Sequence, residues 1–143
     1  MNIAIDIDDT ITALPRLFAA ITRSGEVHKV IIVSSRSNRP EARISTEQEL
    51  ADMGISYDEL YLLDTYDQAN VRCPHDDLDW HQKYLWQKVE ICLREGIDIV
   101  FEDDVKYSGH PCLQMQIMVG VLNLLLAYSR GRCPGDIAVQ SIP

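Results

Sequence analysis

Four short apolar runs divide this chain, and their spacing leaves few folds open. "IAIDI", "KVIIVSS", "YDELYLL" and "IDIVFE" are too short for buried helices, and the first, second and fourth are rich in β-branched residues. Continuous apolar runs of this kind belong to strands covered on both faces, as in parallel sheets. Segments of helical period lie between them. "LPRLFAAITRSG" has Pro15 near its start and Gly25 as its stop, and "PEARISTEQELADMG" opens on Pro40 and closes on Gly54. "WHQKYLWQKVEICLREG" carries a stripe of Leu85, Val89, Cys92 and Leu93 for the core and ends on Gly96. This alternation predicts an α/β fold, a three-layer, Rossmann-like parallel sheet with helices on both faces.

The 143 residues suit one domain spanning 1–143, and no internal repeat or linker interrupts them. "DTYDQANVRCPHDDLD", residues 64–79, reads as a polar loop longer than an ordinary connection and so as a candidate small lid. Beyond Tyr107 the pattern weakens. Residues 112–130 fit either one buried helix or a strand and a helix, "DIAVQSI" fits a last strand, and 108–143 receive no functional role.

A formal net charge of −9 argues against nucleic acid or an anionic membrane as partner, because both need a basic face. The most apolar stretch, "LQMQIMVGVLNLLLAY", is broken by Gln114, Gln116, Gly120 and Asn123. It is also shorter than the roughly 20 residues of a membrane span, and reads as core. Cys73, Cys92, Cys112 and Cys133 have no C-x-x-C spacing. Without a secretory signal at the N-terminus they read as reduced thiols of a cytoplasmic protein. The cluster "HDDLDWH", with Cys73 nearby, reads as polar loop before it reads as a second metal site.

In a parallel sheet joined by right-handed crossovers, every strand ends on one edge, and ligands bind there. Asp6, Asp8 and Asp9 follow the first strand, Ser34, Ser35 and Arg36 the second, and Asp103 and Asp104 follow "IDIVF". Carboxylates gathered at one edge raise one another's pKa and call for a cation. Oxygen ligands with few His or Cys nearby select Mg²⁺. Alternation along an extended segment points Asp6 and Asp8 the same way. Lys83 stands near the N-terminal end of its helix, at that edge. Lys88 lies about 7.5 Å further along at 1.5 Å per residue, so Lys83 is the favoured site lysine.

Asp6-Ile7-Asp8-Asp9-Thr10 resembles the first motif of the haloacid dehalogenase superfamily, D-x-D-x-T at the end of strand one. "VIIVSSR" resembles its second motif, Lys83 its third-motif lysine and "IVFEDD" its fourth-motif acidic pair, in the family's order over residues 2–107. The resemblance implies a phosphatase with Asp6 as nucleophile, forming an aspartyl phosphate, and Asp8 as general acid and then base. It implies Mg²⁺ held by Asp6, Asp8 through its carbonyl, and one of Asp103 and Asp104, with Asp103 ranked first and Glu102 an outsider. Ser34 and Lys83 would meet the phosphoryl group, and Ile7, Thr10, Ser35 and Arg36 would line the phosphate side. The second acid, Asp8, favours phosphoryl transfer over dehalogenation, since a halide leaves without a proton.

One predicted helix fills the stretch from Thr10 to Ser34, and a helix, a strand and the 64–79 loop fill the stretch from Ser34 to Lys83. No large cap domain fits in either. The expected substrate is a small phosphorylated metabolite such as a nucleotide or sugar phosphate, with a homo-oligomer as one way to cover an open site. Two other classes compete. A response-regulator-like phosphoacceptor domain would use Asp64, at the end of strand three, and a non-catalytic binding protein would keep the fold without the chemistry.

Overall fold

The computed structural model describes residues 1–103 and 116–117. Apart from 116–117, the segment 112–130 lies outside them, as do "DIAVQSI", Cys112, Cys133, His110 and Asp104. The strands are β1 (Asn2–Ile5), β2 (Lys29–Ser37), β3 (Glu59–Leu63), β4 (Ile99–Phe101) and β5 (Gln116–Ile117). All pair in parallel, in the order β3-β2-β1-β4-β5. The helices are α1 (Pro15–Ile21), α2 (Pro40–Asp52), α3 (Tyr66–Arg72) and α4 (Trp80–Arg94).

The period-two rule sorts the core onto two faces. Ile3, Ile5, Val30 and Ile32 pack to one side with Phe18 of α1 and Leu50 of α2. Ala4, Ile31 and Val33 pack to the other with Ala69 of α3 and Leu85, Ile91 and Cys92 of α4. Both sheet faces are therefore covered, which is why residues 3–5 of β1 and 30–33 of β2 form unbroken apolar runs. Each fully buried Ile contributes about 1.5–3 kcal/mol relative to an exposed one. Among the described residues no large cap domain is inserted: α1 alone makes the crossover from β1 to β2, and α2, β3 and α3 fill the stretch from β2 to α4.

Pro15 and Pro40 occupy first helical positions, where their fixed φ suits the helix and no N–H is lost. Gly54 ends α2 with φ +72°; a Cβ there would stand 2.8 Å from the Arg23 guanidinium, which donates to the Gly54 carbonyl at 2.7 Å. Two local expectations fail. The 64–79 segment is not one long loop but contains α3, opened by a Thr65–Gln68 capping box. Leu93 is 53% exposed, because the buried face of α4 runs through Tyr84, Leu85, Lys88, Ile91 and Cys92, and Leu93 falls off that stripe. Among the described residues no helix is long and apolar enough to cross a membrane.

From β1 the chain steps outward to β2 and β3, then returns to the other side of β1 for β4. The direction of winding reverses between β1 and β4. Crossovers leave this gap on opposite faces, so the carboxyl ends of β1 and β4 flank a crevice.

Candidate metal centre

Ile5 pairs with Ile32 on one side and Phe101 on the other, so Asp6 leaves the sheet beside the ends of both neighbouring strands. Its N–H donates to the Phe101 carbonyl at 2.9 Å, tying it to the residue just before Glu102. The chain then makes one wide turn, Ile7–Ile11, in which Asp9 takes a left-handed conformation, φ 56°. Asp tolerates that region better than most residues. The Thr12 hydroxyl accepts the Asp9 N–H at 2.9 Å and fixes the turn.

One carboxylate oxygen each from Asp6, Glu102 and Asp103 lie within 4.8 Å of one another, the only such group among the described residues. Asp6 and Glu102 are buried, 6% and 3% exposed. Buried Lys88 joins them, donating to Asp6 Oδ1 at 2.7 Å and to Glu102 Oε2 at 2.8 Å. Burial pushes the Asp6 carboxyl above its ordinary value. The charge and hydrogen bond of Lys88 pull it down, and Asp103 and Asp8 push it up again. Among the described residues, three carboxylates against one ammonium leave two negative charges in a largely buried site. A divalent cation would cancel that excess, and an all-oxygen donor set without His or Cys suits a hard ion. The residues therefore fit a divalent metal.

Lys88, not Lys83, is the lysine on Asp6. Lys83 is half-buried and makes no hydrogen bond to the cluster. The reason is how α4 crosses the sheet edge. Its first turn is spent on packing, with the Tyr66 ring stacked between Trp80 and Tyr84 at centroid distances of 3.9 Å. Tyr84 reaches the end of β2, donating to the Ser35 carbonyl at 3.0 Å, and Lys88, one turn on, comes over β1 and β4. Glu102, an outsider by sequence, belongs to the cluster. The signal for it was its place as the first acid after the strand. Asp104 is outside the described residues.

Asp8 does not join the three. Its carboxylate, 59% exposed, takes the Arg36 guanidinium at 2.6 and 3.0 Å, and Arg36 also pairs with Glu49 of α2. Both carboxylates raise the Arg36 pKa. Arg36 reaches Asp8 because β2 bulges between Ser34 and Ser37, where its pairing with β3 skips two residues. Ser34 is fully buried at the end of β2, and its hydroxyl accepts the Arg36 N–H at 3.3 Å. Thr10 is also fully buried, and its hydroxyl has no hydrogen-bond partner among the described residues. Ile7 is core, and Ser35 is exposed. Cys92, one turn beyond Lys88, has its thiol pushed up to about 12 by burial, which makes it a packing residue rather than a nucleophile.

Among the described residues the "HDDLDWH" cluster forms no metal group. Asp79 caps α4, accepting the Gln82 N–H at 2.8 Å, and His75 meets the Trp86 ring edge-on at 4.3 Å. Asp64 pairs with Arg72 at 2.8 Å, beyond β2 from the carboxylates. Among known proteins, no family model, no curated protein and no solved structure matches this chain.

Proposed function

We propose that the chain is a Mg²⁺-dependent phosphatase of the haloacid dehalogenase type, hydrolysing a phosphate monoester through an aspartyl phosphate on Asp6. One observation carries this reading. Asp6 ends β1 at the switch point, buried on Lys88 and grouped with Glu102 and Asp103. Asp9 adds to it, since the family often has Gly at that place, and φ 56° is the region Gly favours.

Asp6, Glu102 and Asp103 are the residues that would hold the ion. When bound, Mg²⁺ screens the nucleophile from the anionic phosphoryl group and neutralises charge as the ester bond breaks. An Asp6 oxygen attacks phosphorus, and the P–O bond to the leaving group breaks. Lys88 keeps Asp6 ionised and oriented. Asp8 gives its proton to the departing oxygen, which requires its carboxyl to leave Arg36. Asp8 then takes a proton from the water that attacks the aspartyl phosphate, releasing inorganic phosphate and restoring Asp6. Ser34 would donate to a phosphoryl oxygen.

The strand order favours this over a phosphoacceptor domain. In doubly wound folds of order 2-1-3-4-5, strand three lies beside strand one. Here β2 stands between them, so Asp64 is held away from the acidic cluster.

The test is a panel of phosphate esters, p-nitrophenyl phosphate included, assayed with Mg²⁺ and with chelator. Wild type should turn over esters only with the metal, and Asp6→Asn should lose that turnover while melting cooperatively near its parent's temperature. Full turnover in a folded Asp6→Asn protein would sink the assignment. Absence of turnover by wild type on every ester would favour a non-catalytic binding protein.

A further inference from the structure

Past the bulge of β2, where β2 and β3 end, lies an open cleft of about 480 Å³. That volume suits a small-molecule ligand. Ser35, Asn38 and Arg39 line one side, and Asp64, Tyr66 and Tyr84 the other. Its polar lining is unevenly committed. The Tyr84 hydroxyl is spent on the Ser35 carbonyl, and Asp64 is spent on Arg72. Both faces of the Tyr66 ring are covered, by Trp80 and by Tyr84, so the cleft offers no free Tyr66 face to stack a base. Arg39 differs. Arg36, Arg43, Arg72 and Arg94, like Lys29 and Lys88, are held in ion pairs. Arg39 is exposed, lines the cleft, and forms no ion pair or side-chain hydrogen bond among the described residues. In a chain of net charge −9, a guanidinium left open in a cleft is a local attraction for an anion.

Position supplies the rest. The run from Ser34 to Arg39 leads without a break from the edge beside Asp6 into the cleft. We infer that the cleft takes the leaving-group part of the substrate, and that this part carries a second anionic group, a carboxylate or a second phosphate, bound by Arg39. The inference rests on the phosphatase reading for the place of the first phosphate.

The test uses a matched pair of probes, 3-phosphoglycerate and glycerol 3-phosphate, which differ by a carboxylate against a neutral hydroxymethyl group. Wild type should prefer the first, by a ratio of kcat/KM of tenfold or more. Arg39→Ala should bring that ratio to near one, and Arg39→Lys should restore part of it, which a merely structural role would not do. An unchanged ratio in Arg39→Ala would overturn the inference. Calorimetric binding of the same pair to wild type and to Arg39→Ala, with Mg²⁺ present, separates the two readings. If neither compound is hydrolysed yet wild type binds 3-phosphoglycerate tenfold tighter and Arg39→Ala does not, the phosphatase reading fails and the anion site stands. Equal binding of both probes by wild type defeats the anion site.

Discussion

Lys88 offsets part of the negative charge of the site. It is the cation between two buried carboxylates, and its removal would leave the three acids with no cation bonded to them among the described residues. Breaking a buried pair by deleting one partner typically costs about 3–5 kcal/mol, because the remaining charge has lost its compensation. Lys88→Met should therefore destabilise the protein by about that much in urea unfolding, and Lys83→Met, away from the cluster, by about 0.5 kcal/mol or less. Equal effects at the two positions would contradict the placement. Asp6 and Asp103 were legible in the sequence because acids gathered where parallel strands end share one edge and call for a cation. Lys88 and Glu102 were not, for two physical reasons. The choice between consecutive acids depends on register, and the choice between lysines depends on how far along its length α4 crosses the edge.

Elements are held at their ends by side chains that the helix interior does not need. Asp79 and Gln82 satisfy each other's backbone N–H groups at the start of α4. Asp79→Ala should cost about 1 kcal/mol through loss of this cap. At the other end of α4, Glu95 binds Lys29 of β2 at 2.7 Å, Tyr61 of β3 at 2.9 Å and neighbouring Arg94 at 3.0 Å. The Lys29 hydrogen bond, helped by Tyr61 and Arg94, holds the Glu95 carboxyl at about 2 against its ordinary 4.5. A depressed carboxyl stabilises the fold fully above its unfolded value, and that contribution is lost as pH falls through the folded value. The difference in Tm between wild type and Glu95→Gln should thus be constant above about pH 5 and should close as pH falls toward 2. A difference that stays flat down to pH 2 would show that the carboxyl is not held by these partners. β1 to β4 and α1, α2 and α4 were readable from short apolar runs, prolines and glycines, whereas β5 lies in a stretch whose apolar pattern fits a helix as well as a strand. Short, polar α3 was not, because it depends on its cap and on Tyr66 stacking against α4, neither of which leaves a hydrophobic period.

For the whole molecule, winding order decides where the chemistry can be. Reversal between β1 and β4 opens the crevice, and the sheet delivers Asp6, Glu102 and Asp103 to it at the cost of gathered negative charge. A ligand bound only by the folded state stabilises it by about 2.7 kcal/mol at a hundredfold excess over its Kd. Mg²⁺ should therefore raise the Tm of wild type, and the gain should shrink in Asp103→Asn and in Glu102→Gln. An identical gain in all three would place the ion elsewhere. The central claim is that Asp6 becomes phosphorylated, and the acyl phosphate can be read directly. Asp8→Asn, slow to activate water, is incubated with an aryl phosphate and Mg²⁺, quenched, reduced with borohydride and mapped by mass spectrometry. Reduction converts an aspartyl phosphate to homoserine. The account predicts homoserine at position 6, present with Mg²⁺ and absent with chelator; homoserine at position 64, or ester turnover with position 6 unmodified, would contradict it.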